Sequence, residues 1–345
     1  MHTLSLPMLN RRRYISTLAW FTVFFLATLA IAPLIGATRI SLEKALSNEI
    51  NFADNMDAHI LFLARLPRIL LAAITGASLS VAGAVFQAIL RNDLAAPITL
   101  GVASGAAFGA VLAISLGLSF TVLGFSSISF AAFLGAMLAV TLVFNLVKTR
   151  QGELPTSIVL LAGVTVNFFF AAMVMLIHYL SDITQSFQIV RWLMGGLDIT
   201  DYQTVFSVSL PVILGSFILM VIARDLNLIS SGSQSALSRG VDVPKIQKIG
   251  LVSASLVTGA VVAVSGPIGF VGLVVPHIVR LLIGPDQRLL IPASMLFGAS
   301  FLIICDTVAR TVIAPTEIPV GVITAMIGGP FFVWLLKKKA AGVKR

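Results

Sequence analysis

The sequence is poor in charged residues and contains a single cysteine. Only 11% of its 345 residues are charged and 58% are hydrophobic, with a mean hydropathy of +1.02. Soluble domains carry about 25% charged residues, and no soluble core could bury this many apolar side chains. Because Cys305 stands alone, a disulfide framework and a multi-cysteine metal site are excluded. The composition therefore indicates a polytopic membrane protein.

Groups that carry out chemistry are also scarce. The sequence has no G-x-x-x-x-G-K-[ST] motif, which excludes a P-loop for nucleotide phosphates. Its apolar runs are almost free of ionisable groups, whereas ion-coupled carriers place carboxylates or histidines at mid-membrane. An intramembrane enzyme would have to use Ser265 and His277, but no acidic residue is placed to orient the histidine. We therefore predict no catalytic residue and no metal site, and we keep a secondary carrier without an ATPase as an alternative.

Ten apolar runs predict ten transmembrane helices within one domain that covers residues 1–345. The runs are residues 14–37, 60–90, 94–118, 129–147, 155–180, 203–223, 249–264, 265–283, 289–310 and 318–336. The first run follows three arginines, as in a signal peptide, but it is long enough to span a membrane. Most basic residues fall on the side of the N-terminus, including Lys148 and Arg150 after the fourth run. The positive-inside rule then makes both termini cytoplasmic.

Two of these runs contain residues that are unusual in a helix. Residues 265–283 include Pro267, Gly269, Gly272 and Pro276, which predict a broken helix. A broken backbone at membrane depth needs protein partners or a water-lined cavity, so this segment is either a packing detail or the wall of a pathway. In the third run, Gly101, Gly105 and Gly109 recur every four residues, which predicts one helix face that another helix can approach closely.

The polar loop of residues 227–248 predicts two short helices that project from the membrane. Ser233 is suited to cap a first helix that ends at Gly240, and Asp242 with Pro244 is suited to start a second. Such a helix pair is either a plain surface feature or a contact for a partner.

Three of the arginines on the acidic side of the predicted membrane lie at the ends of apolar runs, against the charge bias. They are Arg65 and Arg68 at the start of the second run and Arg310 at the end of the ninth. Arginines there serve either to anchor lipid headgroups or to bind a partner. The i, i+4 spacing of Asp306 and Arg310 predicts an ion pair near the helix end.

Several motifs together resemble a known family. They are Arg65-Leu-Pro-Arg68, Gly76, Gln87, Arg91-Asn-Asp-Leu-Ala-Ala-Pro97, Gly266-Pro-Ile-Gly-Phe-Val-Gly-Leu-Val-Val-Pro-His277, Arg280, Gly284-Pro-Asp286, Asp306, Ala309-Arg310 and Glu317-Ile-Pro-Val-Gly321. In order and spacing they resemble the FecCD-type permeases over roughly residues 60–336. These permeases are the membrane subunits of ABC importers for iron–siderophore complexes, haem and cobalamin.

The resemblance implies an all-α, type II ABC importer permease in the cell inner membrane. Such a subunit has ten helices and pairs with a second copy, or a close paralogue, around a central pathway. Two ATPase subunits, which bind the ATP, lie on the cytoplasmic side, and a periplasmic substrate-binding protein docks on the other. The permease itself would bind no cofactor and no nucleic acid. The implied cargo is a bulky metal chelate, either ferric siderophore or haem, with cobalamin or an oxyanion as alternatives.

The resemblance also implies roles for individual residues. The docking residues for the binding protein are Arg65, Arg68 and Arg310. Those that contact the ATPase are Ser233, Gln234, Ala236, Leu237, Arg239, Gly240 and Val241, although Ser233, Gln234 and Arg239 depart from the usual family residues. The residues that line the pathway or form its gate are Asn92, Pro97, Gly101, Gly105, Gly109, Asn167, Gly269, Gly272 and Pro276.

Overall fold

The structure, a computed structural model, describes residues 11–47, 52–122, 124–147, 155–198 and 201–343. Its α-helices are α1 (Arg11–Ile31), α2 (Leu42–Ala45), α3 (Met56–His59), α4 (Leu66–Leu90), α5 (Val102–Ser115), α6 (Ser127–Leu146), α7 (Thr156–Leu180), α8 (Ile183–Leu193), α9 (Tyr202–Val221), α10 (Ala223–Ser230), α11 (Ser233–Leu237), α12 (Val243–Ser265), α13 (Val271–Ile283), α14 (Gln287–Thr311) and α15 (Val320–Val343). A π-helix, Ile60–Arg65, joins α3 to α4, and short 3-10 turns occupy Ala32–Leu34, Phe52–Asp54 and Pro97–Leu100. The strands β1 (Thr121–Val122) and β2 (Phe125–Ser126) form a small antiparallel hairpin. The all-α membrane fold is confirmed.

Each of the ten predicted runs contains an apolar helix in the described part of the chain. Seven of these helical segments are long and apolar enough to cross a membrane, and the second of them joins α3, the π-helix and α4. The helices α5 and α13 and the apolar part of α15 are shorter. The number of ten crossings therefore stays a prediction. Lys148 and Arg150, predicted to close the fourth run, lie outside the described residues.

Helix α4 is the centre of the fold, because it contacts α9, α12, α13 and α14. Its last four turns are almost fully buried, with Phe86 among the largest enclosed side chains. Glycines allow the crossings: a methyl group on Gly76 would collide with the carbonyl of Gly298 in α14, and one on Gly83 with the carbonyl of Gly272 in α13. Small residues at such crossings bring two backbones into direct contact, which drives helix association in lipid.

The glycine pattern of the third run is confirmed in part. A methyl group on Gly105 or Gly109 would collide with backbone carbonyls of α6, so these two residues form the close α5–α6 contact. Gly101 does not share that helix face. It precedes α5 as its N-cap, with a left-handed φ of 79°.

The predicted break in the eighth run is confirmed, and it is shorter than residues 265–283. Helix α12 ends at Ser265, residues 266–269 leave the helix, and α13 begins after Phe270, whose φ is +66°. Gly272 and Pro276 lie inside α13, so the expectation that they interrupt the helix is wrong: Pro276 is in the second turn and its missing donor affects one hydrogen bond only. The carbonyl of Ser265 accepts from the Gly196 N–H at 2.8 Å, which supplies a protein partner for backbone at the break.

Candidate functional site: an apolar groove between two charged ends

An apolar groove of about 580 Å³ lies between α5 and α7. Pro267, from the broken segment, lines it together with Ala103, Ala107 and Phe168. Among the residues that the structure describes, no carboxylate, imidazole or thiol lines this groove. Its walls can therefore contact a large ligand without binding it to fixed charges.

Asn167 is the most polar residue in the wall of the groove. Its side-chain oxygen accepts from the Ser104 hydroxyl at 2.7 Å, and its amide nitrogen donates to the Ile98 carbonyl at 3.0 Å. Polar groups in an apolar wall are stable when they are hydrogen-bonded to protein. Asn167 thus fixes α7 to α5 and to the 3-10 turn before it.

The predicted pathway residues fall into three groups: those at the groove or the small cavity beside it, the glycines of the third run, and two residues elsewhere. Asn167 lines the groove, and Pro97, Gly269 and Gly272 meet at a cavity of about 30 Å³ that shares Ile98, Ala103 and Pro267 with the groove. Gly105 and Gly109 face α6, and Gly101 contacts Val166. Asn92 caps the turn after α4 by accepting from the Leu94 N–H at 3.0 Å, and Pro276 is buried within α13.

The wall residues Ala103, Ser104 and Ala107 were missed by sequence reasoning. Their spacing of three and four places them on one face of α5, opposite the face of Gly105 and Gly109. Alanine and serine are also small residues, so the sequence does not show that this second face lines a groove instead of meeting another helix.

A cluster of charges lies at the end of the bundle where α4 begins and α14 ends. We call it the outer cluster, and it consists of Arg68, Asp198, Asp306, Arg310 and Glu317. Asp306 is at its centre: its carboxylate accepts from Arg68 Nε at 3.0 Å and from Arg310 Nε at 3.0 Å. Arg68 also donates to Glu317 at 2.6 Å and approaches Asp198 at 3.8 Å. The predicted Asp306–Arg310 ion pair is confirmed.

The three predicted docking arginines are in different environments. The side chain of Arg68 is 12% exposed, and its two partners Glu317 and Asp198 are half exposed. Arg310 is buried against Asp306. Arg65 is also buried, and its guanidinium donates to the carbonyl of Pro33 at 2.6 Å and to that of Thr38. Only Arg68 thus combines an ion-pair network with partners at the surface.

The opposite end of the bundle carries the loop that was predicted to form two short helices. Helix α11 begins after Gly232, so the prediction that Ser233 caps it is wrong; the Ser233 hydroxyl instead accepts from Arg91 at the end of α4. Asp242 does cap the next helix, accepting from the Lys245 N–H at 3.1 Å. That helix is not short, because α12 continues from Val243 into the seventh run. Sequence reasoning missed this because a polar first turn resembles a loop.

The predicted ATPase-contact residues divide into a buried and an exposed set. Ala236 is fully buried and packs with Val241 and the adjoining helices, whereas Ser233 is half-buried. The exposed residues of the predicted set are Gln234, Leu237, Arg239 and Gly240. They form the outer surface of the projecting segment, which we call the α10–α11 knob (residues 223–241).

The knob is attached to the start of α14 through Asp286. Asn227 Nδ2 donates to Asp286 Oδ1 at 2.7 Å, and the Gln287 N–H donates to Asn227 Oδ1 at 2.7 Å. Burial of Asp286 opposes its charge, but hydrogen bonds from Arg288 and Asn227 outweigh that effect and lower the pKa of the Asp286 carboxyl below its ordinary value. Asp286 is therefore a stable anion that holds α10 to α14.

A second attachment at the same end joins α4, the following turn and α13. Arg280 donates to Asp93 at 2.6 Å and to the side-chain oxygen of Gln87 at 2.7 Å. The Gln87 amide in turn donates to the Leu273 carbonyl at 3.3 Å. The turn that contributes Pro97 to the small cavity is thereby tied to the helix that follows the break.

A comparison with models of protein families shows which family the chain belongs to. The model of the FecCD transport family matches residues 23–338. The chain belongs to the FecCD transport family. Its resemblance to this family, seen in the motifs, is thus confirmed.

Relatives of this FecCD family member include named transport proteins. The chain is 41% identical to an uncharacterized ABC transporter permease protein, YvrB, of Bacillus subtilis over 90% of this chain and 88% of the relative. It is 44% identical to the cobalamin import system permease protein BtuC of Halobacterium salinarum, over 80% and 72% of the two chains. It is 39% identical to the hemin transport system permease protein HmuU of Yersinia pestis, over 92% and 95%.

The fold of this FecCD family member is also found among solved structures. A metal-chelate type ABC transporter in an inward-facing conformation matches with a TM-score of 0.79 and 33% identity, over 94% of this chain and 99% of the other. The chain is therefore a multi-pass membrane permease of the ABC type, with the fold of a type II importer permease.

Proposed function

We propose that the chain is the permease subunit of an ATP-driven importer that moves a bulky metal chelate, ferric siderophore or haem, into the cytoplasm. The family and its relatives, which include permeases named for cobalamin and hemin, support this cargo class. The complete transporter would contain two permease subunits, two ATPase subunits that bind the ATP, and an external binding protein. The chain would lie in the cell inner membrane with both termini in the cytoplasm, and would bind no cofactor of its own.

The observation that carries this proposal is the chemistry of the groove between α5 and α7. A bare metal ion needs oxygen, nitrogen or sulfur ligands along its path, and an intramembrane charge needs a partner. The groove offers alanine, valine and phenylalanine walls with the paired amide of Asn167. A chelate already satisfies its metal and presents a large surface, so apolar walls that do not hold it tightly suit its passage. In a dimer, the second subunit would supply the opposite wall.

The α10–α11 knob would receive the movement of the ATPase. Its exposed face carries Gln234, Leu237 and Arg239, and its base is tied to α14 through Asn227 and Asp286. Closure of the ATPase pair on ATP would press on this face, and the ties would pass the movement to the membrane helices.

Uptake by the reconstituted transporter tests the groove. Ala171 lines it and is half-buried, so Ala171→Trp adds an indole to the wall without opening the core. We expect ATP-dependent uptake of an iron-55 siderophore or of haem into vesicles to fall at least tenfold, with basal ATP hydrolysis retained. The control is Ile213→Trp, on an exposed position of α9 outside the groove.

Two results would count against the proposal. Normal uptake with Ala171→Trp would remove the groove from the pathway. Accumulation driven by a proton gradient in vesicles without nucleotide would instead identify a secondary carrier.

Docking of the binding protein would use Arg68. A carboxylate on the binding protein would compete with Glu317 and Asp198 for the Arg68 guanidinium. Arg65 would hold the backbone at Pro33 and Thr38, and Arg310 would hold the Asp306 carboxylate. Charge-assisted pairs of this kind orient a partner and speed its association. Arg68→Glu should therefore weaken binding-protein affinity at least tenfold, measured by surface plasmon resonance, and the effect should shrink at high salt. The control is Arg39→Glu, an exposed arginine outside the cluster; equal losses from both variants would refute a specific docking role.

A further inference from the structure

A second cavity, of about 450 Å³, lies where three membrane helices begin or end. Its walls come from the first turn of α1, from the junction of α9 with α10, and from the first two turns of α14. All three places are at the end of the bundle that carries the α10–α11 knob. Because helix ends mark the boundary of the apolar layer, this cavity opens at the level of lipid headgroups.

Three arginines surround the cavity. Arg11 and Arg224 are exposed, and neither forms an ion pair with another residue in the described parts of the chain. Arg288 pairs with Asp286 at 2.6 Å through Nη2 and at 3.0 Å through Nε, so its Nη1 takes no part in that pair. The cavity therefore has a local excess of positive charge.

The rest of the lining is apolar. Tyr14, Met220, Val221, Ile291 and Pro292 form the walls between the arginines. A small soluble anion would gain nothing from these side chains, whereas a phospholipid has both an anionic phosphate and apolar chains attached to it. Charge and walls together fit an amphiphile better than a free ion.

We propose that this cavity binds an anionic phospholipid, with its phosphate among Arg11, Arg224 and Arg288 and the start of its acyl chains against Met220 and Ile291. Guanidinium groups bind phosphate through paired hydrogen bonds, and basic pockets between membrane helices are known to hold acidic headgroups. The bound lipid would join α1, α10 and α14, which are far apart in the sequence. This site is separate from the groove and from the outer cluster, so it does not rest on the proposed cargo.

Lipid retention by the purified transporter tests the proposal. The complete complex is placed in nanodiscs that contain phosphatidylglycerol and phosphatidylcholine with the same acyl chains, and the lipids that stay bound after transfer to detergent are measured by native mass spectrometry. Each arginine near an anionic headgroup gives about a fivefold gain in affinity. We therefore expect Arg11→Gln with Arg224→Gln to weaken phosphatidylglycerol retention by about 25-fold.

Two further variants keep the test specific. Val221→Trp keeps all three arginines but fills the cavity from an exposed position, and should also displace the lipid. Lys248→Gln removes an exposed cation on the same side of the protein outside the cavity, and should leave retention unchanged. Size-exclusion profiles and circular dichroism spectra that match those of the wild type show that the variants are folded.

Any of three results would overturn the proposal. Equal retention of phosphatidylcholine and phosphatidylglycerol would remove the charge recognition. Displacement of phosphatidylglycerol by millimolar inorganic phosphate would identify a site for a free anion. Binding by the isolated permease that disappears in the full complex would mean that an ATPase subunit occupies the cavity.

Discussion

Replacement of Asp306 by asparagine should destabilise the outer cluster more than any other single change within it. The Asp306 side chain is 1% exposed, and it bonds to Arg68 and Arg310, whose side chains are 12% and 7% exposed. Asp306→Asn preserves the shape but removes the negative charge between the two cations. Arg68 would keep Glu317 as a counter-charge, whereas Arg310 would be left with neutral acceptors, the new amide oxygen and the Thr307 hydroxyl at 3.3 Å. A buried guanidinium would then lack its counter-charge.

The structure allows the size of this effect to be estimated. Breaking a buried ion pair by removing one partner costs about 3–5 kcal/mol, because the remaining charge stays desolvated. For a protein of this size, about 2 °C of melting temperature corresponds to 1 kcal/mol. We therefore expect Asp306→Asn to lower the melting temperature in detergent by roughly 6–10 °C. Glu317→Gln is the matched control: Glu317 is 48% exposed, and an exposed pair contributes about 1 kcal/mol at most.

Thermal-shift size-exclusion chromatography of the purified permease measures both changes. Adding Arg310→Met to Asp306→Asn removes the stranded cation, so the double variant should recover part of the lost stability. A melting temperature for Asp306→Asn within 2 °C of the wild-type value would refute the reasoning. So would a loss no greater than that of Glu317→Gln.

Two further predictions concern the helix contacts and pH. Gly109→Ala should lower stability by about 1–3 kcal/mol, because its methyl group would collide with the Ala131 carbonyl, whereas Gly269→Ala, which has open space around it, should cost less; equal melting temperatures would contradict this. The pKa of Asp286 is lowered in the folded state, so its stabilising charge is present above about pH 4 and is lost as the pH falls through the lower folded value. Asp286→Asn should therefore reduce the melting temperature more at pH 7 than at pH 3, and an equal reduction at both would show that the charge has no role.

Features that depend on backbone chemistry were predictable from the sequence. The break after Ser265 follows from a local excess of glycine and proline, and the cap at Asp242 follows from an acceptor side chain placed before Pro244. The close contact at Gly105 follows from the spacing of small residues. In each case a few neighbouring residues contain the information.

Features that depend on distant partners were not predictable in this way. Arg65 and Arg68 are three residues apart and share a helix face, so the sequence gives no reason to separate them. In the structure the two arginines have different environments, because the Arg65 guanidinium donates to the carbonyls of Pro33 and Thr38. These carbonyls lie about thirty residues earlier in the chain. The attachment of Asn227 to Asp286 spans 59 residues, and no local pattern specifies it.

Helix α14 runs from the α10–α11 knob to the outer cluster. Its first turn is fastened to the knob by Asp286, and its last turns carry Asp306 and Arg310, about 35 Å away at 1.5 Å per residue. Pro292, in its second turn, is the one place in this helix where a missing donor permits a bend. A rigid α14 would transmit displacement from one surface to the other, whereas flexing at Pro292 would absorb it. In the proposed transporter, the stiffness of a single turn would therefore set how strongly nucleotide binding and external docking influence each other, and by thermodynamic linkage that influence on binding would be equal in both directions.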